Sequence, residues 1–209
     1  MPYSYTNREG KTYYFRAVPT KKGSLRYYKT SSQDFEDLIE EIPKGYEVTE
    51  KPYDAMVIIR KIKKNFIRQE EKEILYDAIE EFSVLNDFFV HTEGKIMTLY
   101  YSQFNYIGGG IDGEEASLSR EQAIEIHGEY IVKWMKFFDG FRLILVDKEK
   151  RLFQAERIIN TGFFGGDYHP IGEVGKVKDL ALRIAPHLGT QNWYRIPPRG
   201  YEEKGDIIL

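Results

Sequence analysis

With 209 residues and no cysteine, the chain is long enough to bury roughly 70% of its unfolded surface as one domain, needs no disulfide, and excludes thiolate catalysis and cysteine-bound zinc. Its net charge of −3 hides an asymmetry: residues 1–64 carry 13 Lys and Arg against 9 Asp and Glu, residues 65–209 carry 17 against 24, and the first 30 hold 7 basic residues against the single acid Glu9. No apolar run reaches the roughly 18 residues of a membrane span and residues 1–16 contain no signal core, so a cytoplasmic protein without membrane attachment is expected.

In residues 12–18, Tyr13, Phe15 and Ala17 alternate with Tyr14, Arg16 and Val18, a β-branched and aromatic run that reads as a strand. A turn over 19–24, in which Gly23 is free to take a positive φ, returns 25–29 as a second strand. The hairpin over 12–30 therefore exposes Arg16, Lys21, Lys22, Arg26 and Lys29 around Tyr14 and Tyr28. Ser32 or Asp34 is placed to cap a helix over 34–42 with Phe35, Leu38, Ile39 and Ile42 on one side, and Pro43 and Gly45 break it. Residues 46–50 and 55–62 read as a further strand pair.

The spacing then predicts a helix over 67–82, with Ile74, Leu75, Ala78, Ile79 and Phe82 inward and Glu70, Glu71, Glu73, Asp77, Glu80 and Glu81 outward. A hairpin over 88–101 turns at Glu93-Gly94, and the acidic, glycine-rich stretch 108–115 reads as a disordered loop or lid. A long amphipathic helix is expected from Ser119 to Phe138, capped by Ser119 with Gln122, carrying His127, Ile131 and Trp134 on its apolar side, and ended by Asp139-Gly140. Residues 141–146 read as a central strand covered on both faces, with Leu143 and Leu145 facing Ile131 and Trp134. Residues 147–150 read as a turn and 151–159 as a more exposed strand. A Gly and aromatic loop over 160–172 leads to a last helix marked by Val174, Val177, Leu180, Ala181 and Ile184 and stopped by Pro186.

Tyr13-Tyr14-Phe15-Arg16, Thr20-Lys21-Lys22-Gly23, Arg26-Tyr27-Tyr28 and Pro43-Lys44-Gly45-Tyr46-Glu47, together with Pro186-His187-Leu188-Gly189 near the far end, resemble the two ends of a family of uncharacterised bacterial proteins. The resemblance covers about half the chain and implies that the two ends belong to one recurring protein. It implies no activity and assigns no catalytic residue.

The predicted architecture is α+β, antiparallel hairpins packed against amphipathic helices, with a small basic β-rich part over 1–64 and a larger α+β part over 65–209. Three functions are open. The first is a cytoplasmic binding or regulatory protein acting through protein–protein contacts, with a protein partner or a second copy, because aromatic residues are enriched in interfaces. The second is nucleic-acid binding by the 12–30 hairpin, where Tyr14, Arg16, Lys21, Lys22, Arg26 and Tyr28 offer cations for phosphate and rings for stacked bases. The third is a hydrolase-type enzyme using Asp167 and His169 in the 160–172 loop. No cofactor and no metal is expected: phosphate-loop and nucleophile-elbow spacings are absent, and His127 with Glu129 lacks zinc-ligand spacing.

Overall fold

A computed structural model describes residues 1–102, 120–129, 136–160 and 166–201, which form ten strands in antiparallel sheets and three α-helices, a mixed α+β fold that is mostly sheet. Contacts divide the chain into two compact units, Met1–Lys63 and Lys64–Leu209. Among the described residues no helix is long and apolar enough to cross a membrane.

The first unit holds a three-stranded sheet of β1 (Ser4–Thr6), β2 (Thr12–Pro19) and β3 (Leu25–Thr30), and a two-stranded sheet of β4 (Tyr46–Glu50) and β5 (Val57–Lys61). Its interior is small: Phe15, Ala55 and Val57 are its buried hydrophobics. Asn7 supplements them, donating to the Ala55 carbonyl at 3.0 Å and accepting from the Glu9 and Lys11 amides. The helix expected over 34–42 does not form. β1 covers the edge of β2 only as far as Tyr14, and residues 37–39 take over beyond it: the Ala17 amide donates to the Asp37 carbonyl, the Ile39 amide to the Phe15 carbonyl, and Leu38 bridges Arg16. Nine residues make a marginal helix alone, whereas an open strand edge presents amides and carbonyls that need partners.

The second unit is a five-stranded sheet in the order β10-β9-β8-β7-β6, built from β6 (Phe88–Glu93), β7 (Ile96–Ser102), β8 (Phe137–Asp147), β9 (Leu152–Asn160) and β10 (Gly166–Gly175). α1 (Gln69–Phe82) and α3 (Val177–Ile184) lie against each other and against β6 and β9 respectively. They bury Leu75, Ala78, Ile79, Val177, Leu180, Ala181 and Ile184 in one cluster with Met97, Leu99, Phe141, Leu143, Leu145, Phe153, Ala155 and Ile171 from the sheet. α1 departs from its predicted faces: Phe82 is exposed, and Glu71 is buried because Arg151 reaches it from the β8–β9 turn.

The long helix predicted over 119–138 is replaced by two elements. α2 (Arg120–His127) ends at Gly128, whose positive φ and amide bond to the Ile124 carbonyl form a C-terminal cap. Phe137, Phe138, Asp139 and Gly140 belong to β8, where the first three pair with Ser102, Tyr101 and Tyr100 and complete the end of β7. The Ser119 cap, Ile131 and Trp134 lie outside the described residues, as do the 108–115 stretch and the side chain of His127.

β8 is central, as its apolar run requires, yet only the Phe141, Leu143 and Leu145 face is fully covered, and Val146 is 52% exposed. The greater exposure expected of 151–159 is wrong. With neighbours on both edges, β9 buries Phe153, Gln154, Ala155 and Arg157. The 160–172 loop is corrected too, since β9 runs through Asn160 and β10 begins at Gly166, with 161–165 outside the described residues.

Candidate functional site

The β2–β3 register pairs Arg16 with Tyr28, Val18 with Arg26 and Tyr14 with Thr30. Directly opposed residues of an antiparallel pair share a face, so Tyr14, Arg16, Arg26 and Tyr28 come together, while Phe15 turns inward. Gly23, at a φ of 80°, closes the turn, where the Thr20 amide meets the Ser24 carbonyl at 2.7 Å and Lys21 and Lys22 project outward. The hairpin thus gathers all six predicted residues on one face and its tip.

The connection after β3 takes two of the six away. Arg16 donates to Asp37 through Nε at 2.7 Å and Nη2 at 2.9 Å, and its guanidinium lies 3.8 Å from the centre of the Phe35 ring. The Arg16 hydrogen bond holds the Asp37 carboxyl below its ordinary pKa. Gln33 donates to the Tyr14 hydroxyl. Gln33, Phe35 and Asp37 are the residues that sequence reasoning missed. Phe35 and Asp37 fall in the 34–42 segment that reads as a helix, and Gln33 stands just before it.

What remains is a groove of about 520 Å³ at the hairpin tip, lined by Val18, Thr20, Lys21, Lys22, Arg26 and Tyr28 among others. Tyr28 is 48% exposed, and among the described residues Lys21, Lys22 and Arg26 meet no carboxylate. Three cations without partners around one open ring make a surface for acidic groups. Of the other rings, Tyr27 packs edge-on against Tyr46 at 4.8 Å and Tyr13 lies under the Lys29 ammonium at 5.1 Å.

Asp167 and His169 sit on β10, an edge strand, opposite Ile159 and Arg157. They share a face, but neither makes a hydrogen bond or ion pair among the described residues. No group of three or more His, Cys, Asp or Glu among those residues is placed to hold a metal. Tyr168 between them turns to the opposite face, where its hydroxyl donates to Asp139 and the Arg142 guanidinium lies 3.7 Å over its ring. Arg142 in turn donates to Glu156 at 2.8 Å. Burial, with the Asp139 hydrogen bond and charge added, raises the Tyr168 pKa far above the ordinary phenol range. The hydroxyl thus ties β10 to β8 across the intervening β9.

No protein-family model, curated protein or solved structure matches this chain.

Proposed function

We propose that the chain is a binding protein and that the tip of its β2–β3 hairpin receives an acidic segment of a protein partner. One observation carries the reading: Lys21, Lys22 and Arg26 surround an open groove with Tyr28 and meet no carboxylate among the described residues. Exposed rim charges steer encounter and select partners more than they add affinity, which suits regulatory contacts. Nucleic acid is the second reading. Stacking a single strand needs several open rings in a row, and here Tyr14 and Tyr27 are engaged while Tyr28 is open. The hydrolase reading rests on Asp167 and His169, which share a face of an edge strand and make no hydrogen bond or ion pair among the described residues. The cysteine-free composition suits a cytoplasmic setting.

Fluorescence anisotropy tests the proposal with a labelled Glu- and Asp-rich peptide and, in parallel, a labelled single-stranded oligonucleotide, at low and high salt. The peptide is expected to bind and to weaken as salt rises. Reversing Lys21, Lys22 and Arg26 to Glu should weaken it at least about tenfold, the sum of three modest surface charge terms. Peptide binding that ignores this reversal, or no binding by about 100 µM, overturns the reading. Tighter binding of the oligonucleotide, lost in the same variant, replaces the protein partner with nucleic acid.

A further inference from the structure

We propose that the Lys64–Leu209 unit contains a binding site for a small organic acid, a single carboxylate on an apolar or aromatic body, with Arg157 as the group that receives the carboxylate. The site lies in a different unit from the hairpin and owes nothing to it.

Arg157 stands apart from the other described arginines that are at least half-buried. Arg8, Arg16, Arg60, Arg142 and Arg151 each hold a carboxylate within 3.4 Å. Arg157 holds none among the described residues, although it is only 8% exposed. Among the described residues its one hydrogen bond runs from Nη1 to the Trp193 carbonyl at 3.3 Å, and its buried Nε has no partner there. A guanidinium carries five donors and keeps its charge in proteins, so a buried one needs a counter-charge to offset its desolvation. Burial accordingly pulls the Arg157 pKa below its ordinary value. The described residues supply the walls of a site and no anion for its cation.

The space beside Arg157 fits a ligand. It lines a cleft of about 650 Å³, a volume within the range that accepts small molecules, together with Trp193, Tyr101, Phe138 and Ile159. The walls are fixed from behind: Trp193 is 5% exposed and packs on Phe141 at 5.9 Å between ring centres. Gly140 also lines the cleft and leaves room for the Tyr101 ring, which lies 2.2 Å from where a β-carbon would stand.

Charge narrows the class. The cleft offers one cation, part of whose fork already serves Trp193, and Asp139 lines it too. Among the described lining residues no other arginine or lysine stands ready to receive a second negative charge. A carboxylate monoanion therefore fits better than a phosphate dianion, and the aromatic walls take the rest of the molecule.

Calorimetry and thermal melting of the full chain test this with four probes: naphthalene-2-carboxylate, its neutral carboxamide, phenyl phosphate and acetate. Naphthalene-2-carboxylate is expected to bind saturably and to raise the Tm, with the carboxamide and acetate at least about tenfold weaker. Arg157→Met should lose this binding by at least about tenfold while melting no lower than the parent, because an apolar side chain of similar length removes a buried unpaired charge. Should Arg157→Met fail to fold, Arg157→Lys keeps a charge without the fork and is expected to bind several-fold more weakly. Absence of saturable binding by all four probes up to about 5 mM overturns the site. Undiminished binding in either variant overturns the role of Arg157, and a preference for phenyl phosphate overturns the ligand class.

Discussion

Glu71 shows how far one side chain sets the order of the second unit. Its carboxylate accepts from the Arg68 amide at 2.9 Å and from Arg151 Nε at 2.8 Å, and Arg151 Nη2 also bonds it while reaching the Phe66 carbonyl at 3.1 Å. Burial acts to raise its pKa, but the Arg151 and Arg68 hydrogen bonds and charges outweigh this and hold it below the ordinary carboxyl value. A lowered folded-state pKa adds stability above the pKa of the unfolded carboxyl, and that stability is lost as pH falls through the lowered value. Glu71→Gln leaves Arg151 without its counter-charge and is expected to cost about 3 kcal/mol near pH 7. Urea unfolding should show this gap, and it should narrow in acid, where the parent loses the same charge. A gap unchanged by acid would mean that the ion pair is not its source.

At the scale of elements, the bulge in β8 is set by Gly140. Leu99 pairs with Phe141 and Tyr100 with Asp139, so Gly140 is the extra residue between them, and the Tyr101 ring occupies the space its side chain would take. Gly140→Ala is expected to destabilise by about 2 kcal/mol through forced displacement of that ring, as overpacking does elsewhere. Thermal melting measures the loss. Near-ultraviolet circular dichroism should register the moved tyrosine, and an unchanged spectrum with an unchanged Tm would contradict the geometry. Elements with a clean two-residue alternation, such as β2 and β3, were legible in the sequence because their pattern is local. The 34–42 segment was not, since Phe35, Leu38 and Ile39 fit a helix equally well and only the open edge of β2 decides against it. Phe138 likewise continues the helical spacing, yet the unpaired end of β7 claims it. Arg157 was hidden for a related reason: in sequence it looks like Arg142, and only the fold gives Arg142 a glutamate and leaves Arg157 with a carbonyl.

For the molecule as a whole, the unequal interiors of the two units matter most. The Met1–Lys63 unit buries Phe15, Ala55 and Val57, whereas the core of the other draws on two helices and all five strands. Less buried apolar area means a lower free energy of opening, so the units should not exchange their amide hydrogens alike. Hydrogen exchange read by mass spectrometry is expected to label peptides around Phe15 and Ala17 well before those around Leu143 and Ala155. Equal protection would show that the first unit draws support from contacts beyond its own core.

Asp37 performs two tasks with different atoms. Its carbonyl accepts the Ala17 amide and closes the rim of β2, while its carboxylate neutralises Arg16 on the surface. Exchanging that carboxylate for an amide would therefore return a cation to the binding face without unpicking the sheet, so the electrostatic reach of the hairpin can be retuned while its backbone stays the same.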